Sequence, residues 1–278
     1  MKLTRGMQVF GTVANVSNQI QINTGTREVL ENNGVKYFEG SFIPLQTWRT
    51  LSASELKKID ATGQTFSKYS KNLYVGEISE KIKNAFKLLH LNNCRIPDEV
   101  FPRFKAHKKD VKKINTVLHK FLKKCSSTGD FKFHKITRAM PNKETMTSFH
   151  VEGEFLHLGL HIDQSRHFKI HTAHKSGNRI TINLSNETRS LIFTNLSMIQ
   201  VYNLIRKKVD IKKITLNPDT IAMHFYRLYP EYPVLKLDLK PYQYYVAPTD
   251  NFFHDGSTMG TKYIDITIVY TGQFDQLP

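Results

Sequence analysis

Six of the twelve histidines fall between His150 and His174, a density that points to metal chemistry. In Glu154–Asp163 apolar and polar residues alternate. Leu156, Leu158, Leu160 and Ile162 share one face of a predicted strand, and His157, Gly159, His161 and Asp163 share the other. An imidazole and a carboxylate two residues apart at a strand end can take neighbouring positions on a metal ion and leave room for one more protein ligand. His254 is the candidate for that position. It follows a strand, a turn at Pro241 and a second strand, and opens His254-Asp255-Gly256; a barrel uses such an order to bring a late histidine to its mouth. Two imidazoles and one carboxylate make the facial set suited to non-haem Fe(II), with positions left open for co-substrate and oxygen. His150 and Glu152 share the two-residue spacing and are an alternative first pair. His157 is on the pocket face, while His167, His171 and His174 belong to the loop that follows. Asp255 is either a partner of the adjacent ligand or a turn former before Gly256. No Ser/His/Asp or Cys/His arrangement competes with the metal reading.

The totals narrow the classes. Two cysteines, Cys94 and Cys125, make neither a disulfide framework nor a thiolate zinc site, so a metal must be held by His and carboxylates. The chain of 278 residues, 40% hydrophobic, can bury a sizeable core. No apolar run approaches the ~18 residues of a membrane span, and no signal peptide opens the sequence, so a cytoplasmic protein without membrane insertion is expected. The net charge of +16 favours an anionic partner, whether nucleic acid, membrane surface, phosphorylated substrate or acidic carrier protein. Much of that charge lies in Lys105–Lys124. There Val111, Ile114, Val117, Leu118, Phe121 and Leu122 recur at helical spacing, which assigns the lysines to a solvated helix face.

The elements that must position the three ligands follow from periodicity. Residues 1 to about 50 read as irregular with a β-prone piece at Met7–Val13. Helices dominate from Ser52 to Lys124, with Ser54 capping a short one through Ile59 and Ile78, Ile82, Ala85, Phe86 and Leu89 marking a longer one. From Phe131 the pattern turns to strands: Phe131–Ala139, Glu154–Ile162, Arg179–Leu184, Leu191–Asn195, Thr220–Leu228, Val234–Leu239, Tyr242–Ala247 and Lys262–Tyr270, with a helix at Met198–Lys208. Eight β-segments separated by turn residues predict a sandwich or barrel of jelly-roll type. Tyr242, Tyr244 and Tyr245 are assigned to core packing, as expected of strand aromatics.

The region from about Phe131 to Phe274 resembles the Fe(II)/2-oxoglutarate-dependent oxygenase superfamily. The matching pieces are His161-Ile162-Asp163, the segment Asn178–Ser185 followed by Thr188–Phe193, and His254-Asp255-Gly256-Ser257. The resemblance implies an α+β chain. Its core would be a double-stranded β-helix (jelly-roll, cupin-like) over 131–278, with a mainly helical region over 1–130 packed on it as one unit. It implies Fe(II) on His161, Asp163 and His254, and 2-oxoglutarate converted to succinate as a substrate C–H is oxidised. The substrate would be a small molecule, an amino acid or a carrier-tethered residue. The family pairs the distal co-substrate carboxylate with a basic residue about ten positions past the last histidine. Lys262 fills that place, on the same strand face as Ile264, Ile266 and Ile268, although Ile264 stands where a Ser or Thr is usual. Lys175, Arg179 and Arg189 are substitutes, and Arg179 and Asn183 are further co-substrate contacts. Two other functions stay open: a basic nucleic-acid-binding protein without catalysis, and a metal cupin of another reaction class.

Overall fold

The structure is a computed structural model that describes residues 1–13, 16–61, 72–164 and 168–276. Its strands in chain order are β1 (Gln8–Gly11), β2 (Ile20–Ile22), β3 (Thr26–Asn32), β4 (Val35–Pro44), β5 (Arg49–Thr50), β6 (Asn72–Glu77), β7 (Phe131–Ala139), β8 (Ser148–Val151), β9 (Glu154–Gly159), β10 (Asn178–Asn183), β11 (Arg189–Phe193), β12 (Leu235–Leu239), β13 (Gln243–Ala247), β14 (His254–Ser257) and β15 (Asp265–Gly272). The helices are α1 (Ala53–Ile59), α2 (Glu80–Lys87), α3 (Val100–Ala106), α4 (Lys108–Lys124), α5 (Met198–Ile205) and α6 (Ile221–Leu228).

Alternation along these strands builds a sandwich. The six-stranded sheet runs β1-β6-β13-β10-β15-β7 and the five-stranded sheet β14-β11-β12-β2-β5. Between them lies a core in which Val9, Leu73, Val75 and Tyr245 of the first meet Leu191, Phe193, Leu235 and Leu237 of the second. The outer face of the six-stranded sheet, carrying Ile180, Ile182, Tyr244, Ile266 and Ile268, is covered by α2 and α4. Helix α4 packs there through Ile114, Leu118 and Leu122, one turn apart, while its lysines stay exposed as their spacing predicts. The outer face of the five-stranded sheet is covered by α5 and α6. A third sheet, β3-β4-β9-β8, leads into the metal-ligand segment. Cys94 and Cys125 are buried free thiols in the helical layer. Among the described residues no helix is long and apolar enough to cross a membrane.

Several expectations are corrected. Residues 1–130 are not mainly helical: β1 and β6 extend the six-stranded sheet, β2 and β5 the five-stranded one, and β3 and β4 form a hairpin. Of these, β2 and β5 are short and the pair they form is completed by β12 far along the chain, whereas β3 and β4 pair locally. Thr220–Leu228 is helix α6, not a strand. Its Ile221 and Phe225 are one turn apart and buried together, and the Asn217 side chain, which accepts the Asp219 and Thr220 N–H groups, organises its start. The predicted strand Glu154–Ile162 stops at Gly159. The α1 cap is Ser52 rather than Ser54.

That cap yields a testable consequence. The Ser52 hydroxyl accepts the Glu55 N–H at 3.3 Å and the Glu55 carboxylate accepts the Ser52 N–H at 2.8 Å. Arg49 donates to both Glu55 oxygens, at 2.9 and 2.8 Å. Hydrogen bonding to Arg49 foremost, then to Ser52, holds the Glu55 carboxyl at about 2, below its ordinary 4.5. An acid depressed in the fold stabilises it above the unfolded pKa, and that contribution fades as pH falls through the window from about 4.5 to about 2. Glu55→Ala is expected to cost about 1 kcal/mol at pH 7 and much less at pH 2, read from urea midpoints at the two pH values.

Candidate metal centre

The three predicted ligands converge. His161 and His254 face each other as a single antiparallel bridge, with backbone N–H···O bonds of 3.2 and 2.8 Å in the two directions. Their rings are 5.1 Å apart between centroids. His254 Nε2 lies 3.3 Å from Asp163 Oδ2, and His161 Nε2 lies 3.9 Å from Asp163 Oδ1. One ligand atom from each residue falls within 4.8 Å of the others, a grouping able to hold a metal ion.

Local backbone presents these atoms. Gly159 has φ +66°, and a Cβ there would stand 2.4 Å from the Phe42 carbonyl oxygen. The turn it makes ends β9 and aims its own carbonyl at His161, whose Nδ1–H donates to it at 2.8 Å. His254 Nδ1–H donates to the Phe252 carbonyl at 3.3 Å. Each ring thus has its Nδ1 engaged by a carbonyl and its Nε2 turned toward Asp163, the orientation a metal-ligating histidine needs. Gly159→Ala is expected to destabilise the fold by about 1–3 kcal/mol through a positive φ and a steric clash. It should also weaken metal affinity, checked by melting and metal titration of the same preparation.

Electrostatics favour a neutral His161 and an ionised Asp163. Burial pushes His161 below its ordinary value against the pull of Asp255, and neighbouring His254 adds to the depression. Burial would raise the Asp163 carboxyl, but His254 and Arg179 overcome it and hold the group well below the usual carboxylate range. The Arg179 guanidinium pairs with Asp163 at 2.8 Å. A neutral imidazole and an ionised carboxylate are the forms that bind a cation. Asp255 is buried. It accepts the Thr147 hydroxyl at 2.9 Å and the Thr147 N–H at 3.2 Å, which ties the segment before β8 to the strand bearing His254.

A cavity of about 280 Å³ opens beside Asp163 and His254, with Arg189, Tyr245, Asp265 and Thr267 in its walls. Arg189 is buried, with Nε 3.0 Å from Asp265 Oδ1. Its Nη1 and Asp265 Oδ2 have no hydrogen-bond partner among the described residues. Gly256 leaves the space it needs: a Cβ there would come within 2.6 Å of Arg189 Nη2.

No protein-family model and no curated protein matches this chain. Two solved structures of one protein are similar to it, both titled as the Kdo hydroxylase KdoO, a non-heme Fe(II) alpha-ketoglutarate dependent dioxygenase. The cobalt(II) complex matches with TM-score 0.34 and the apo form with 0.35, each at 10% identity and over 74% of this chain and 81% of that one. The likeness is loose. The side chains themselves must supply the chemistry.

Other predicted site residues are placed elsewhere. Lys262 is exposed in the loop before β15, and its backbone N–H is held by Glu187. It does not point inward, because β15 begins only at Asp265, and the face of Ile264, Ile266 and Ile268 meets the helical layer rather than the cavity. Asn183 is buried in a turn. Its amide donates to the Glu187 and Leu239 carbonyls and its oxygen accepts the Ser185 N–H, so its side chain is committed to the backbone. Lys175, His171 and His174 are exposed, and His167 lies outside the described residues. His150 and Glu152 are on the exposed β8–β9 hairpin. Tyr244 packs in the helical layer, whereas Tyr245 lines the cavity. Asp265 and Thr267 were missed as cavity residues. Their signal was the polar half of the β15 alternation, opposite the three isoleucines.

Proposed function

We propose that this chain is a non-haem Fe(II)- and 2-oxoglutarate-dependent oxygenase on a double-stranded β-helix core. It would hydroxylate a C–H bond of a small molecule, an amino acid or a carrier-tethered group. The observation that supports this most is the meeting of His161, Asp163 and His254 beside a cavity that contains a buried arginine. Three protein ligands on one side leave the other positions of an octahedral ion free. When bound, Fe(II) and 2-oxoglutarate would supply the oxidation of an unactivated C–H by dioxygen, with release of succinate and carbon dioxide.

The residues do the positioning. His161 and His254, with their Nδ1 protons held by carbonyls, and Asp163, held by Arg179, would fix the ion. Arg189, deep in the same cavity with a free Nη1, is the anchor we assign to the distal carboxylate of 2-oxoglutarate in place of Lys262. Tyr245, Thr181 and Thr267 would wall the co-substrate off from bulk water. The test is an anaerobic Fe(II) titration followed by measurement of succinate from 2-oxoglutarate on admitting oxygen. Stoichiometric iron binding and iron-dependent succinate are expected. A protein that neither binds Fe(II) nor forms succinate, with or without candidate substrates, is not such an oxygenase.

A further inference from the structure

Strand β7 is the free edge of the six-stranded sheet, and its two faces serve different cavities. Lys135, Thr137 and Ala139 border the metal cavity. A register shift opposite Val269 and Tyr270 puts one extra residue into β7, so that Phe133 and Ile136, three apart, both turn to the helical side. There a groove of about 540 Å³ runs between α4 and strands β7 and β15, formed chiefly by Phe104, Val111, Phe131, Phe133, Ile268 and Tyr270. Phe133, on its lip, is 54% exposed.

The helix that flanks this groove is cationic. Helix α4 carries seven lysines against the single acid Asp110, every one of them exposed, and Lys132 joins them from β7. It carries no arginine. Lysine is a hydrated point charge that suits a diffuse anionic surface, whereas arginine suits bidentate recognition of single phosphates and bases. The aromatic rings are engaged with one another: Phe133 meets Tyr270 edge-on at 75°, and Phe131 stacks on Phe274. They enclose a concave slot rather than presenting flat faces for bases to stack on. A lysine field beside an apolar slot matches the two halves of an acidic lipid.

We propose that the α4–β7 face docks on an anionic lipid surface, with one acyl chain entering the groove. The proposal does not depend on the oxygenase reading. It is tested by flotation of the full chain with phosphatidylglycerol vesicles and with phosphatidylcholine vesicles. Binding to the first, weakened by salt, and little binding to the second are expected. Phe133→Ser should lower the bound fraction by roughly tenfold at limiting lipid. The triple change Lys112→Glu/Lys120→Glu/Lys123→Glu should lower it at least as much. The control Lys207→Glu/Lys208→Glu/Lys212→Glu, which alters exposed lysines after α5 on the opposite side of the sandwich, should leave it unchanged. Absence of binding, indifference to Phe133→Ser, an equal loss in the control, or release from vesicles by single-stranded RNA at equal charge would each overturn the proposal. Metal titration of the same variants should be unaltered, which separates a failure here from a failure of the metal centre.

Discussion

Asp163→Asn is expected to abolish metal-dependent turnover and to weaken metal binding by roughly a thousandfold, about 4 kcal/mol. The side chain keeps its shape, so the change isolates charge. Outer partners of metal ligands are worth about 10–100-fold, and loss of a carboxylate ligand itself should exceed that. The amide is also a poor partner for a cation held by two imidazoles in a site this enclosed, where Asp163 stands 3.3 Å from His254 Nε2 and 2.8 Å from Arg179. The measurement need not rely on activity. A metal at a hundred times its Kd stabilises the native state by about 2.7 kcal/mol, a Tm rise on the order of 5–10 °C for a chain of this size. The wild-type protein should show that rise and Asp163→Asn should not. Equal rises in both would mean that the ion binds elsewhere.

The legible part of this centre was the part written in short-range pattern. Two-residue spacing placed His161 and Asp163 on one side, and the order strand, turn, strand marked His254 as their partner; the three meet. The α4 stripe was legible for the same reason, since Ile114, Leu118 and Leu122 recur every turn. What failed was whatever long-range packing decides. Lys262 was assigned inward by alternation with Ile264 and Ile266, but alternation says only that residues share a face, and that face belongs to the helices. Of the N-terminal strands β1 was legible in the β-prone piece Met7–Val13, whereas β2 and β5 were not, because they are two or three residues long and are paired with each other and with β12. Helix α6 read as a strand because its β-branched and aromatic residues favour extended chain locally, and burial of Ile221, Phe225 and Tyr226 on one side overrides that preference.

The anchor for 2-oxoglutarate gives the second large effect, and it has to be measured with the buried pair in mind. Arg189→Met alone would strand Asp265, which is 2% exposed, and breaking such a pair costs about 3–5 kcal/mol. A folding defect would then mask a binding defect. Arg189→Met/Asp265→Asn removes both charges and keeps a group that can accept the Ser185 hydroxyl, now 3.0 Å from Asp265 Oδ1. The double variant should stay within about 1–2 kcal/mol of the parent in stability and bind Fe(II) as before. Its affinity for 2-oxoglutarate, measured by anaerobic calorimetry on the iron-loaded protein, should fall about a hundredfold, as expected for a lost charge-assisted pair of about 3 kcal/mol. Lys262→Ala, at an exposed position, should change neither quantity. If the double variant holds 2-oxoglutarate as tightly as the parent, or if Lys262→Ala loses it, then Arg189 is not the anchor. The buried guanidinium would then serve the fold, through Asp265 and the close approach that Gly256 permits.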